Sequence, residues 1–216
     1  YGSDLNTAQT LETQLNVLVD FKPELKNDRE PEYLFLANID PNLQMDVLNQ
    51  VKRPKCRFVA CDTMNFWIEG KPLELGKVLK RVDMIVVNDG EARLLAQEVN
   101  LIKAARSIQR LGPGIVIIKK GEHGALMRTA SQFFSFPAYP LARIKDPTGA
   151  GDTFAGGFMG YLAAAPDWKN FNVIRRAMSY GTVMSSFSVE DFSVKRVGGL
   201  SKKEICARFN KYVDAL

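Results

Sequence analysis

The chain has 216 residues, of which 46% are hydrophobic and 25% are charged, and its formal net charge is +5. A chain of this length and composition can bury a substantial core, so we expect a single domain over residues 1–216. It contains no run of about 18 apolar residues, which excludes a membrane-spanning helix. Its lysines and arginines are scattered, which argues against a nucleic-acid-binding surface.

The histidine and cysteine content excludes further classes of function. His123 is the only histidine, which argues against a Ser-His-Asp triad, a Cys-His pair and a multi-histidine metal site. The cysteines Cys56, Cys61 and Cys206 are odd in number and lack CxxC spacing. They indicate a reduced, cytoplasmic protein.

Strand-like and helix-like segments alternate along the chain. Strands are predicted at residues 15–20, 32–38, 57–62, 83–88, 115–119, 125–128 and 133–136. The first helix is predicted to begin at residue 41 and to stop at the proline at 54. A second is predicted at 73–79, a third from 89 through 97, and another that follows it through 111. The last three are predicted at 153–165, 171–188 and 201–216, and a loop is predicted at 63–67. The continuous apolar strands at 83–88 and 115–119 indicate cover on both faces, as in a parallel sheet. This order predicts an α/β layered fold with ligand groups at the carboxyl ends of the strands.

The most informative stretch reads Asp-Pro-Thr-Gly-Ala-Gly-Asp-Thr-Phe-Ala-Gly-Gly and spans residues 146–157. It follows an extended segment at 132–144 and precedes the apolar helix predicted at 153–165. Glycines let the backbone approach a ligand closely, and the unpaired N–H groups of a helix start bind anions such as phosphate. Asp152 lies beside that position, where it could accept a proton from a hydroxyl group. The stretch indicates phosphoryl transfer to an alcohol; the alternative is an ordinary glycine turn with Asp152 as a first-turn charge.

Three motifs in the same order resemble a known family. Residues 146–154 are similar to the DTxGAGD signature of the ribokinase-like (PfkB) carbohydrate kinases, with Pro147 in place of Thr. Asn88–Glu91 resembles the NxxE motif of that family, and Lys119–Ala125 resembles its strand-then-GxxGA nucleotide loop. The resemblance covers most of the chain. It implies a ribokinase-like three-layer α/β/α sandwich with a mostly parallel sheet.

The resemblance also implies a function and the residues that perform it. The protein would be an ATP-dependent kinase that phosphorylates a hydroxyl group of a sugar or nucleoside. Asp152 would be the catalytic base, and the amides of Gly149, Ala150 and Gly151 would form the anion hole. The alternative is a nucleotide- or sugar-binding module without catalysis, or a degenerate kinase.

The same resemblance implies several further residues that would bind the nucleotide and its Mg²⁺. Asn88 and Glu91 would orient phosphate and, through water, Mg²⁺. The same pair could equally form a capping box that starts a helix without any ligand. The remaining nucleotide residues would be Lys119, Gly121 and Gly124, and, for the nucleoside end, Gly181 and Thr182. Lys119 departs from the Thr-Leu that often precedes the glycine in the family, and Gly181 and Thr182 are equally compatible with close helix packing.

The acceptor and a second metal are less clearly marked. Asn38, Asp62 and Asn65 follow predicted strands and are candidates for contact with the acceptor. Relatives that bind a monovalent cation such as K⁺ use the first Asp of the DTxGAGD signature, which corresponds to Asp146 in this chain. Residues 188–193 lack the glycine of the second half of that site.

The family resemblance further implies that a segment preceding Tyr1 is missing. Relatives are usually longer and begin with a strand, a glycine pair and a substrate-binding Asp. Residues 1–16 would then be a remnant of the lid or β-flap. Many relatives pair through that lid, so the resemblance suggests a homodimer.

Overall fold

The structure is a computed structural model, and it describes residues 21–25, 30–52 and 55–216. The strands of the described residues are β1 (Tyr33–Leu36), β2 (Phe58–Asp62), β3 (Met84–Asn88), β4 (Ile115–Lys119), β5 (Ala125–Arg128) and β6 (Phe133–Phe136). The helices are α1 (Pro41–Gln50), α2 (Asn65–Gly70), α3 (Pro72–Leu79), α4 (Asp89–Ala96), α5 (Leu101–Arg110), α6 (Ala150–Ala164), α7 (Phe171–Ser188), α8 (Lys195–Gly198) and α9 (Lys202–Val213). The strand predicted at 15–20 and the lid remnant predicted at 1–16 lie outside the described residues.

The strands form one six-stranded sheet in chain order, from β1 to β6. β1 pairs with β2 in parallel, with Tyr33 opposite Phe58. β2 pairs with β3 in parallel, with Ala60 opposite Met84. Parallel neighbours need a crossover connection, which α1 supplies between β1 and β2, and α2 with α3 between β2 and β3. The predicted α/β fold with a mostly parallel sheet is confirmed.

The described residues divide into two compact units, one of those up to residue 118 with 127–133 and the other of residues 119–126 with 134–216. In the first unit every residue of β2 is buried, as is β3 except for its last residue, which is what their apolar sequence predicts. In the second unit α7 and α9 build a core from Val183, Phe187, Phe209 and Tyr212. Fully burying a side chain of this size stabilises a fold by roughly 1.5–3 kcal/mol. The single domain over residues 1–216 stays a prediction.

Side-chain caps explain where several helices begin. Asp40 accepts a hydrogen bond of 2.9 Å from the Asn42 amide, and Pro41 occupies the first position of α1, as the sequence predicts. Asn170 accepts a hydrogen bond of 2.9 Å from the Asn172 amide at the start of α7. Each cap satisfies a backbone donor that has no partner inside the helix.

Some boundaries differ from the sequence-based expectation. Residues 65–70 form α2, so the loop predicted at 63–67 is wrong beyond Met64. α6 begins at Ala150 and not at Thr153, because Gly149 adopts a left-handed conformation that allows the helix to start directly after the turn. β6 spans Phe133–Phe136, as predicted, and residues 137–149 form neither strand nor helix. Pro137 and Pro140 lack the N–H groups that would extend the strand ladder.

Two negative findings apply to the described residues. No helix among them combines the length and apolarity that crossing a bilayer requires. None of their histidine, cysteine and acidic side chains gather in groups of three or more that could hold a metal ion. Cys56 and Cys61 are buried and Cys206 is partly buried, and among the described residues none of the three forms a disulfide bond.

A capping box begins α9 and perturbs an acidic group. Ser201 Oγ accepts a hydrogen bond from the Glu204 amide at 3.2 Å, and Glu204 Oε2 accepts one from the Ser201 amide at 3.0 Å. Hydrogen bonds from the Ser201 amide and hydroxyl, and then from Arg196, lower the pKa of Glu204 to about 2. The pKa of Glu204 lies below its ordinary value of 4.5. The ionised carboxylate therefore stabilises the fold fully above about pH 4.5, and this stabilisation is lost as the pH falls toward 2.

We therefore expect Glu204→Gln to lose less thermal stability than the wild type when the pH falls from about 6 to about 3, because its cap no longer titrates. Melting temperatures across this range measure the effect. Glu69→Gln is the control, since Glu69 is exposed and forms no recorded hydrogen bond or ion pair in the described part of the chain. Equal slopes for Glu204→Gln and the wild type would contradict the prediction.

Candidate active site

The start of α6 leaves backbone donors without partners. Gly149 precedes the helix with φ 77° and ψ 0°, a left-handed conformation that costs a non-glycine residue about 1–2 kcal/mol. The Ala150 amide donates to Pro147 O at 3.2 Å, and the Thr153 amide donates to Gly149 O at 2.9 Å. Between them, the amides of Gly151 and Asp152 find no acceptor among the described residues. Unpaired amides at a helix start favour an anion.

Asp152 is the third residue of α6, and its side chain is exposed. No hydrogen bond or ion pair within the described ranges engages its carboxylate, and α6 has no side-chain cap. Asp152 therefore does not cap the helix, but its place in the first turn is what the alternative of a first-turn charge describes, and its role as a base stays a prediction. The carboxylate lies in the same helical turn as the two unpaired amides, as a base beside an anion site requires.

Lys119 brings a full positive charge to the same place. It is the last residue of β4, and its Nζ lies so close to Gly151 that a Cβ at this glycine would clash with it. No acidic side chain of the described residues forms a salt bridge with Lys119. An unpaired ammonium group next to the positive end of a helix is unfavourable until an anion is bound between them.

The loop between β4 and β5 is closed by its own backbone. Residues 121–123 form one turn of 3₁₀ helix, and the Lys120 amide donates to Gly124 O at 2.7 Å. Gly121 and Gly124 have positive φ values of 55° and 80°. A Cβ at Gly124 would lie 2.6 Å from the carbonyl carbon of Pro137, and also against Phe136 O. This glycine lets the loop pack directly on the backbone that follows β6.

Asp146 does not present the environment of a monovalent-cation ligand. Its Oδ1 accepts a hydrogen bond of 2.9 Å from the Thr148 amide, and its carboxylate also accepts one from the Ser193 amide. These hydrogen bonds, first from Thr148, lower the pKa of Asp146. The acids in the turn that follows α7 are paired with basic side chains of the protein, including Asp191 with Lys145. The residues around Asp146 therefore do not fit the K⁺ site that the resemblance implied.

Gly181 and Thr182 lie in the packing between helices. A Cβ at Gly181 would lie 2.9 Å from Phe154 O, so α6 and α7 approach closely at this point. Thr182 is buried and hydrogen-bonds with the hydroxyl of Tyr212. This is what the helix-packing alternative describes; a contact of either residue with a nucleotide stays a prediction.

In the first unit Asn88 and Glu91 form the expected capping box at the start of α4. Asn88 Oδ1 accepts from the Glu91 amide at 2.7 Å, and Glu91 Oε2 accepts from the Asn88 amide at 2.7 Å. The box fixes both side chains at the carboxyl end of β3. It confirms the capping interpretation and leaves their phosphate and Mg²⁺ roles as predictions.

The three acceptor candidates differ in exposure. Asn38 is exposed, and its Nδ2 donates to Met64 Sδ at 3.1 Å. Asn65 is exposed and begins α2, whereas Asp62 is buried at the end of β2.

Sequence reasoning missed two buried polar residues beside these candidates. Gln44 is only 2% exposed, and its Nε2 donates to Leu36 O at 3.2 Å and to Asp62 O at 3.2 Å, which ties the ends of β1 and β2 together. Thr63 is 6% exposed. Gln44 Oε1 and Thr63 Oγ1 are buried without a hydrogen-bond partner in the described part of the chain. A polar residue on the apolar side of α1 was the available signal for Gln44.

Comparison with known proteins identifies the family. The model of the pfkB family carbohydrate kinases matches residues 32–196. The cytidine kinase of Thermococcus kodakarensis is 34% identical over 135 residues, which cover 61% of this chain and 48% of the relative. The chain therefore spans about half the length of this curated relative.

Solved structures share the fold. Aminoimidazole riboside kinase from Salmonella enterica, in complex with aminoimidazole riboside and an ATP analog, has a TM-score of 0.70 and 22% identity over 84% of this chain and 63% of its own. A double mutant of fructokinase from Vibrio cholerae O395, bound to fructose, ADP and potassium, has a TM-score of 0.66 and 17% identity over 87% of this chain and 62% of its own. These likenesses confirm the ribokinase-like fold.

We expect Gly124→Ala to lower the free energy of unfolding by more than about 2 kcal/mol, because alanine would adopt a left-handed conformation and clash with the backbone of Pro137. Gly160→Ala is the matched control, since Gly160 lies in α6 with open space around its Cα. It should raise the free energy of unfolding by about 0.5–1 kcal/mol. Urea denaturation measures both changes. Equal stability of Gly124→Ala and the wild type would show that the loop does not pack as described.

Proposed function

Because the chain belongs to the pfkB family of carbohydrate kinases, we propose that it is part of an enzyme that transfers the γ-phosphoryl group of ATP to a hydroxyl group of a sugar or nucleoside. The observation that carries this proposal is the start of α6. There an exposed carboxylate, two unpaired amides and one ammonium group lie together within the second unit. Phosphoryl transfer needs a positioned hydroxyl and compensation of phosphate charge, and these groups supply both.

In this proposal each group at the start of α6 has one task. Asp152 accepts the proton of the acceptor hydroxyl as its oxygen bonds to the γ-phosphorus and the bond from that phosphorus to the bridging oxygen of ADP breaks. The amides of the 149–152 turn, above all the unpaired ones of Gly151 and Asp152, stabilise the negative charge of the phosphoryl group in transfer. Lys119 neutralises phosphate charge from the end of β4.

Asn88 and Glu91 suit a hydrated Mg²⁺ that is held mainly by the nucleotide. Mg²⁺ keeps several waters and commonly takes one or two protein carboxylates together with substrate phosphates. A single carboxylate fixed by a capping box fits that demand, and the described residues contain no larger acidic cluster. When bound, Mg²⁺ would neutralise phosphate charge. Gly121 and Gly124 would shape the nucleotide loop, since their positive φ values keep side chains away from it.

The acceptor is proposed only as a class. The relatives named above act on cytidine, aminoimidazole riboside and fructose, which share a sugar hydroxyl. Asn38, Asp62 and Asn65 are the proposed contacts in this chain. The buried oxygens Gln44 Oε1 and Thr63 Oγ1 support a polar ligand nearby, because an unpaired buried acceptor is unfavourable unless a donor reaches it.

Asp152→Asn should lower kcat by about 10²- to 10⁴-fold, because the amide cannot accept the hydroxyl proton. ATP affinity should change little, since the backbone amides and Lys119 remain. The measurement is ADP release by the full-length protein over a panel of sugars and nucleosides, with calorimetry for ATP binding. Asp214→Asn, at an exposed acid after α9, is the control. If turnover with the best acceptor survives in Asp152→Asn, the assignment of the base is wrong; if no acceptor is phosphorylated by the wild type, the kinase proposal fails.

Lys119→Met should weaken ATP binding about tenfold, because a charge-assisted interaction with phosphate is lost. Lys120→Met is a matched control one residue away, and its ATP affinity should stay within about twofold of the wild type. Titration calorimetry with ATP and with adenosine separates the phosphate contribution, since adenosine affinity should be unchanged in both variants. Equal loss in the two variants would remove Lys119 from the phosphate site.

A further inference from the structure

The turn that follows α7 determines where the segment before the anion site lies. The Lys145 amide donates to Val189 O at 2.8 Å, and the Ser193 amide donates to the Asp146 carboxylate. Asp146 is three residues before Gly149. Residues 189–193, named here the α7 turn, thus hold the backbone that leads into the start of α6.

Every acid of the α7 turn is paired with a basic side chain. Glu190 Oε1 accepts from Arg208 Nη2 at 2.6 Å, and Glu190 Oε2 accepts from Arg196 Nε at 3.2 Å. Asp191 pairs with Lys145, which lowers the pKa of Asp191. The acids of this turn are therefore neutralised by the chain itself.

Arg208 is the most enclosed of these basic groups. Its guanidinium carbon lies 3.5 Å from the centre of the Phe187 ring and 5.0 Å from that of Tyr139, and its side chain is 16% exposed. Its Nη1 donates to Ser186 Oγ at 3.0 Å. A guanidinium fixed by two aromatic rings and the hydrogen bond to Ser186 loses little further freedom when it pairs with Glu190.

The surroundings of Asp146 and the α7 turn do not favour the binding of K⁺. Its expected ligand, Asp146, already accepts hydrogen bonds from two backbone amides, and the left-handed position of the turn is occupied by Ser193, with φ 57°, where the family has a glycine-containing turn. Three basic groups already pair with the acids of the turn, so neither Glu190 nor Asp191 is left unpaired to attract a further cation. The α7 turn is nevertheless joined to Asp146 by the hydrogen bond from the Ser193 amide, where a bound cation would otherwise join the two.

We infer that the ion pairs of Glu190 and Asp191 replace a monovalent cation in holding the α7 turn against residues 145–146, so that this protein does not depend on K⁺. Arg208 acts as a positioning residue, through Glu190, on the segment that leads into α6. The inference about catalysis rests on the proposed kinase function, whereas the inference about cation binding does not.

Matched salts test this directly on the full-length protein. The initial rate of ADP release and the melting temperature without nucleotide are measured in KCl, NaCl and tetramethylammonium chloride at equal ionic strength. We expect the rates to agree within about twofold and the melting temperatures within about 1 °C, because no specific cation binds the native state. A tenfold activation by K⁺, or a rise of several degrees in KCl alone, would overturn the inference. If no acceptor is phosphorylated in any salt, the proposed function fails, and the melting temperatures still decide whether a cation binds.

Variants test the positioning role separately. Glu190→Gln removes the partner of Arg208 and should weaken ATP binding about tenfold, whereas Glu204→Gln, which removes the outer charge paired with Arg196 and keeps a side chain able to cap α9, should stay within about twofold of the wild type. Arg208→Lys keeps the charge and should give an intermediate affinity; it also serves as the test if Glu190→Gln does not fold. ATP affinity equal to the wild type in the folded variants of Glu190 and Arg208 would mean that the network stabilises the fold without positioning the anion site.

Discussion

The concentration of positive charge at the start of α6 is the constraint on which the second unit depends. Gly149 turns the chain so that the amides of Gly151 and Asp152 lack acceptors within the part of the chain that the structure describes, and Lys119 places its ammonium group beside them. Groups of one sign held together are unfavourable in isolation. The arrangement becomes favourable when an anion is bound, which is the physical reason to interpret this helix start as a phosphate site and not as an ordinary helix cap.

That helix start is preceded by a segment that has no regular structure of its own. Residues 137–149 form neither strand nor helix, so their position comes from contacts with other parts of the same unit. At one end Gly124 packs on the Pro137 backbone, and Tyr212 donates a hydrogen bond of 2.7 Å to Pro137 O. At the other end the α7 turn holds Lys145 and Asp146. An irregular segment fixed at both ends can present Gly149 reproducibly, which a free loop could not do.

The sequence predicted the elements whose signals are local. The apolar runs of β3 and β4 and the proline at the start of α1 were sufficient, because burial and capping are set by the residues themselves. The early start of α6 was missed because Gly151 and Asp152 have low helix propensity, and the conformation of Gly149 decides where that helix begins. The short helix α2 was missed because it lacks a capping side chain.

Tertiary contacts were harder to predict than elements. Lys119 was a weak candidate in the sequence, since a lysine at the end of a strand is usually exposed, and only the folded second unit brings its ammonium group to Gly151. Gly181 fits close helix packing better than nucleotide binding for the same kind of reason. The two departures from the family pattern, Lys119 before the glycine loop and a turn without glycine after α7, share one physical character. At each place a basic side chain of this protein supplies positive charge, beside the proposed phosphate site in the first case and beside the acids of the turn in the second. A covalently attached charge is present at any ion concentration, so in the proposed function these substitutions determine which charges near α6 come from the protein and which from the solvent.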